Sequence, residues 1–525
     1  MAQRQEADTR EANATAPTND GQAPWVLFST IFASSMAFID GTALNVALPA
    51  VQDGLRASGV QLLWIVNAYL LMLAALIPVG GSLGDLFGRR RVFGLGIGLF
   101  MLASLVCGLS PNANFLIVAR AVQGIGSSLM IPGSLAIINS FFGPTKKGRA
   151  IGTWSAATTI VTVIGPVLGG VLGGAGLWRG VFLINLPLGV AALIPLFLKV
   201  PESRNEQAEG KVDFAGAGLL IVSLACLAYA FISAPNDGFG DPRLIAALCV
   251  GVLALVAFCA VEARSDHAMI PLTLFASRTF SGTNLLTLAL YGALSVGTFF
   301  VSLNLVQAQG YSMALAGFAF TPFALALTAL SRWAGGLVDK SGPRLPLVVG
   351  PAIAGVAFFS MAWAGLTPGP SRYWVSFFPG VIILGLGMGV TVAPLTTTVM
   401  SSVASRLSGT ASGINNAVSR TAGVLAIAVV GALALSLFSR GLDARAAQAG
   451  LSTEVRQALA VEAARLGAAS VPQNATTGDA AAIQTAIRLA FIDTFRIVMI
   501  ICAALAWVGA ALAALFVEKS FRAAR

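Results

Sequence analysis

The sequence predicts an all-α integral membrane protein of fourteen transmembrane helices, built as two six-helix halves with two further helices inserted between them. Three observations carry this expectation. Of 525 residues, 56% are hydrophobic and only 10% are charged, with mean hydropathy +0.83. A surface that faces water carries about 25% charged residues. The apolar residues fall in long blocks near the roughly 20 residues that cross a bilayer. A ten-residue pattern also recurs at two places, eight helices apart.

The blocks run, in order, over 25–49, 62–84, 92–109, 113–137, 150–173, 178–198, 214–233 and 244–261. They continue over 280–306, 314–338, 346–366, 373–400, 409–438 and 491–517. This divides the chain into a tail (1–24), a first bundle (25–199), two inserted helices (200–265), a second bundle (266–517) and a short tail (518–525). Residues 1–24 are polar and lack the apolar stretch of a signal peptide, so they read as a disordered tail. The long loop 440–489 reads as two short amphipathic helices, around 453–466 and 479–489, the first capped by Ser452. It is either a surface flap or a lid over one mouth of the protein.

Basic residues set the orientation. One set of loops holds Arg89, Arg90, Arg91, Lys146, Lys147, Arg149, Lys199, Arg204, Lys211, Arg264, Arg278, Lys340, Arg344 and Arg406; the other holds only Arg56, Arg179, Arg243 and Arg372. Such asymmetry marks the richer side as cytoplasmic. With an even helix count, both termini are expected in the cytoplasm of a multi-pass plasma (inner) membrane protein. The net charge of +10 therefore belongs to membrane topology, and nucleic acid is not an expected partner. The five cysteines, Cys107, Cys226, Cys249, Cys259 and Cys502, lie inside apolar blocks and read as small core thiols. With one histidine, His267, and no phosphate-loop lysine motif, the chain has no expected metal, cofactor or ATP drive, and is not expected to be an enzyme. Trp178 and Arg179 read as interfacial anchors.

Charged residues inside apolar blocks are the functional candidates, because ions in hydrocarbon are costly unless paired or used. Asp40 lies 15 residues beyond Trp25, roughly 22 Å along its helix. Arg120 sits at a similar depth on the fourth helix, roughly 10 Å in from Ala113. Arg420 lies 11 residues into the thirteenth, roughly 16 Å deep. It either faces a cavity or bonds backbone carbonyls at a helix junction. Asn45, Gln123, Asn185 and Arg420 are the candidates for lining a cavity.

The recurring pattern is Gly81-Ser82-Leu83-Gly84-Asp85-Leu86-Phe87-Gly88-Arg89-Arg90 and Gly335-Gly336-Leu337-Val338-Asp339-Lys340-Ser341-Gly342-Pro343-Arg344. It resembles the hallmark loop of the major facilitator superfamily. The first helix, Phe38-Ile39-Asp40-Gly41-Thr42-Ala43-Leu44-Asn45-Val46-Ala47-Leu48-Pro49, resembles that of its fourteen-helix drug:proton antiporter branch, with Gly41 where a larger residue is usual. Arg120-Ala121-Val122-Gln123-Gly124 resembles the branch's fourth-helix motif. Gly165-Pro166-Val167-Leu168-Gly169-Gly170 resembles its antiporter motif, with Val161 where a further glycine is usual.

The resemblance implies a proton-coupled antiporter that exports hydrophobic or amphiphilic small molecules, drugs and antibiotics among them. It implies proton coupling through Asp40 and Arg120. It also implies a cytoplasmic gate formed by Gly81, Asp85, Gly88, Arg89, Arg90, Asp339 and Arg344, in which Asp85 caps a helix or pairs with an arginine. The expected partners are the bilayer, the small-molecule substrate and protons, with the chain acting as a monomer. A lipid or metabolite transporter on the same scaffold is the alternative; an intramembrane enzyme would need a nucleophile or metal cluster that the helices lack.

Overall fold

The computed structural model describes residues 21–204, 212–238, 240–265, 268–404, 407–472, 475 and 477–519. Residues 1–20 and 520–525 of the two tails, Lys211, His267 and Arg406 lie outside the described residues, as do the side chains of Lys147, Asp339 and Lys340. The described chain is helical, with fourteen helices long and apolar enough to span a membrane. They are α1 (Ala23–Leu55), α2 (Gly59–Phe87), α3 (Arg89–Gly108), α4 (Ala113–Phe141), α5 (Arg149–Gly174), α6 (Gly180–Lys199) and α7 (Phe214–Pro235). The rest are α8 (Pro242–Arg264), α9 (Arg278–Ala308), α10 (Met313–Ser331), α11 (Arg344–Ala362), α12 (Phe378–Ser401), α13 (Ser408–Gln448) and α14 (Asp479–Phe516).

Short polar residues start these helices. Ser58, Asn112, Asp213, Asp241, Ser277 and Ser312 each accept a hydrogen bond from a first-turn backbone N–H. That satisfies a donor which hydrocarbon cannot. Helices α1–α6 pack with one another, as do α9–α14, while α7 lies against both α2 and α13. With fourteen spans, the start of α1 and the end of α14 lie on one face, here the terminal face; the opposite one is the lid face.

Three expectations change. The long loop is shorter than 440–489, because α13 runs unbroken to Gln448 and the last helix already begins at Thr477. Residues 479–489 therefore start α14 and form no separate helix. At 40 and 41 residues these rods are about 60 Å long, twice a hydrocarbon core, so both project beyond the lid face. Trp178 is no interfacial anchor: it is buried beneath the end of α1, against Gly54, with Arg179 stacked on its ring at 4.2 Å. Cys249 and Cys259 are exposed on α8, so only Cys107 and Cys502 are fully buried thiols.

The remaining loop carries the lid helix, Thr453–Ala463, capped by Ser452 as its sequence predicts. The lid crosses the seam between bundles. Gly59 N–H donates to the Ala464 carbonyl at 2.6 Å, and the Gln52 amide donates to the Arg465 carbonyl at 2.8 Å. Gln307 on α9 donates to the Gln52 Oε1 at 3.1 Å. Below it α5 and α10 nearly touch: a methyl group on Gly170 would lie 2.3 Å from the Met313 carbonyl oxygen. One on Gly317 would lie 2.2 Å from the Pro166 carbonyl oxygen. Among the described residues these contacts close the two bundles against each other at the lid face.

Candidate functional site

Asp40 and Arg120, on α1 and α4, are brought together in the core of the first bundle. Asp40 is 0% exposed and Arg120 1%. Arg120 Nη1 donates to Asp40 Oδ2 at 2.5 Å and to Gln123 Oε1 at 2.6 Å. Gln123 Nε2 in turn donates to Asp40 Oδ1 at 2.9 Å. The three side chains close a ring, because Arg120 and Gln123 lie three residues apart on one face of α4. An isolated ion here would cost several kcal/mol; a pair with every oxygen satisfied offsets most of that.

A second layer holds the ring in place. Gln123 Nε2 also donates to Ser104 Oγ on α3 at 2.9 Å, and Asn185 on α6 donates to the same oxygen at 3.3 Å. Arg120 Nε donates to the Ile65 carbonyl at 3.2 Å. The guanidinium lies over the Tyr69 ring at 4.3 Å, and the Tyr69 hydroxyl meets Ser127 Oγ at 2.8 Å. Gln123 and Asn185 thus belong to this buried network, each 0% exposed. Asn45 does face a cavity, of about 80 Å³, shared with Thr42, Thr162, Pro166, Ser302 and Phe323.

The antiporter-motif residues hold α5 against two neighbours. A methyl group on Gly165 would lie 1.9 Å from Thr42 Oγ1, and one on Gly169 would lie 2.0 Å from the Ala43 carbonyl oxygen. These two glycines admit α1, while Gly170 and Pro166 face α10.

At the terminal face the repeat has a backbone reason. Gly88 (φ 104°) and Gly342 (φ 73°) occupy equivalent positions, and both take the positive φ that only glycine adopts freely. Asp85 pairs with Arg89, through Nε at 2.9 Å and Nη2 at 2.7 Å. The helix cap falls instead to Glu202, whose carboxylate accepts from the Arg90 and Arg91 N–H groups at 2.8 and 3.2 Å. Arg90 also donates to the Val200 carbonyl at 3.0 Å. Gly81 sits in α2 opposite Pro132 of α4. In the second copy Arg344 donates to the Ala514 carbonyl, joining α11 to α14; the Asp339 side chain lies outside the described residues.

Comparison with known proteins fixes the family. The Major Facilitator Superfamily profile matches residues 30–427. The chain belongs to the Major Facilitator Superfamily. It is 32% identical to the tetracenomycin C resistance and export protein of Streptomyces glaucescens over 95% of this chain and 92% of that one. It is 32% identical to the multidrug resistance protein Stp of Mycobacterium tuberculosis over 79% and 77%. In fold it is similar to a bacterial homolog of the human lysosomal transporter Spinster, in its inward-facing and unoccupied conformation. The TM-score is 0.65 at 18% identity, over 97% of this chain and 100% of that one. A superfamily member is a transporter and no enzyme. Sequence reasoning missed Tyr69, Ser104, Ser127 and Glu202, since no spacing ties them to Asp40 or to the hallmark loop.

Proposed function

We propose that this superfamily member is a proton-driven exporter of hydrophobic or amphiphilic small molecules in the plasma membrane. Its terminal face is cytoplasmic and its lid faces out, as the Lys and Arg distribution supports. The observation that carries the reading is the closed Asp40–Arg120–Gln123 ring. Asp40 is engaged by two donors, so a proton and Arg120 compete for the same carboxylate. Protonation removes an acceptor from Arg120 and frees the guanidinium to move with α4. Each proton entering through 100 mV supplies about 2.3 kcal/mol. The bundles 25–199 and 266–517 are the units that rock about the seam, and a monomer contains both. Two relatives named for antibiotic or multidrug resistance support export as the direction.

The test is drug-driven proton flux in proteoliposomes. Asp40→Asn is expected to abolish it while the protein remains folded in the membrane; undiminished flux would overturn the reading. A lipid substrate is the second reading. It is favoured by an apolar cavity of about 800 Å³ between α10 and α12, lined by exposed Phe318, Leu325 and Trp374. Adding phospholipids to the substrate panel separates the two.

A further inference from the structure

The helices α2 and α13 that form one seam each carry a buried polar atom without a partner, on Asn67 and on Arg420. Leu63 meets Gly431 and Leu70 meets Gly423, so the α2 stripe 63, 67, 70 faces α13. Asn67 on that stripe is 0% exposed, and neither its amide nitrogen nor its amide oxygen has a partner. Arg420 stands one turn from Gly423, about 18 Å along α13 from its terminal-face start. It makes no hydrogen bond or ion pair among the described residues, and its Nε is buried without a partner. Tyr69 and Tyr291 lie within electrostatic reach of it. Asp40, which shares the neighbour Tyr69, is already engaged by Arg120 and Gln123.

Among the described residues Asp40 pairs with Arg120 and no carboxylate pairs with Arg420. Arg120 is neutralised; Arg420 has no counter-charge among the described residues. A guanidinium at this depth is costly without a counter-charge, and a planar fork suits an anionic oxygen pair. Arg420 lies on α13 of the second bundle, one turn from Gly423, which meets Leu70 of the first.

We propose that Arg420 is the recognition point for an anionic oxygen group, a carboxylate or phenolate, on the transported amphiphile. The inference rests on the exporter reading and names its substrate class. Cationic amphiphiles meet Arg420 as a like charge and bind more weakly than the neutral form of the same scaffold.

The experiment measures tryptophan-fluorescence quenching of the purified protein in nanodiscs, with three probes on one aromatic scaffold. They carry a carboxylate, its methyl ester and a quaternary ammonium group. Wild type is expected to bind the carboxylate at least about tenfold tighter than the ester, the scale of a charge-assisted hydrogen bond. Arg420→Gln should remove that preference while ester affinity stays within about twofold. Arg420→Lys should keep part of it, and decides the matter if the glutamine variant melts early. Equal affinity for all three probes would overturn the inference alone. So would an equal loss for all three in Arg420→Gln, which would mark a structural role. Failure of every probe to bind wild type would overturn the exporter reading with it.

Discussion

Asp40 and Arg120 form the kind of pair in which each partner makes the other tolerable. Removing only one leaves an uncompensated charge at a position 0–1% exposed. Arg120→Ala should therefore destabilise the protein by about 3–5 kcal/mol. Asp40→Asn combined with Arg120→Gln should recover most of that loss, because two neutral amides can bond each other and Gln123. Thermal unfolding checks the stability half; proton flux, which should stay absent in the double variant, checks the other. A double variant no more stable than Arg120→Ala would mean that Arg120 acts through Tyr69 and the Ile65 carbonyl instead. The pair itself was legible in the sequence, because single charges stand out in apolar blocks and a rise of 1.5 Å per residue gives their depths. Gln123 was legible as a motif residue but was assigned to a cavity. Its place in the ring depends on how α4 is rotated against α1, which no periodicity reveals.

At the scale of elements, the lid shows why loops read less well than spans. The polar period of 479–489 looks like a surface helix, yet the same helical repeat runs on into the apolar residues of α14 and yields one rod. The lid turn stores a cost of its own. Leu466 is buried with φ 58°, an unfavourable region for a residue with a Cβ. Glu462 clasps this turn, accepting from the Ser470 N–H at 2.9 Å, the Ser470 hydroxyl at 2.8 Å and Arg465 Nη1 at 3.3 Å. Partial burial pushes its carboxyl up, and the Ser470 and Arg465 bonds outweigh that, leaving it below the ordinary 4.5. A carboxyl depressed in the closed lid stabilises closure above pH 4.5, and that contribution fades as the pH falls through its lowered value. A spin label at Val461, 74% exposed, should therefore gain mobility in strongly acidic buffer. In Glu462→Gln the mobility should not change with pH. Equal pH responses in the two proteins would remove Glu462 from the latch.

For the whole molecule, the arrangement of seams says which distances change when the lid face opens. The two bundles meet along α5–α10 and along α2–α13, but the two seams are built differently. At α5–α10 the contact is backbone against backbone through Gly170 and Gly317, and among the described residues neither inserted helix packs against both partners. At α2–α13 the inserted helix α7 lies against both partners, with its buried Leu220, Leu224 and Ala228 in the same apolar core as Leu63 of α2 and Ile427 of α13. Sliding α2 past α13 would strip α7 from one of them and expose apolar surface, at about 25 cal/mol per Å². Parting α5 from α10 breaks van der Waals contacts but strips neither inserted helix from a partner. Opening is thus expected to hinge near α7 and gape at α5–α10. Pulsed electron–electron resonance with one label pair at the lid-face ends of α5 and α10, and another on α7 and α13, measures both. Substrate and a proton gradient should lengthen the first distance and leave the second nearly constant. If the α7–α13 distance changes as much as the α5–α10 distance, the inserted helices ride with one bundle and the hinge lies elsewhere.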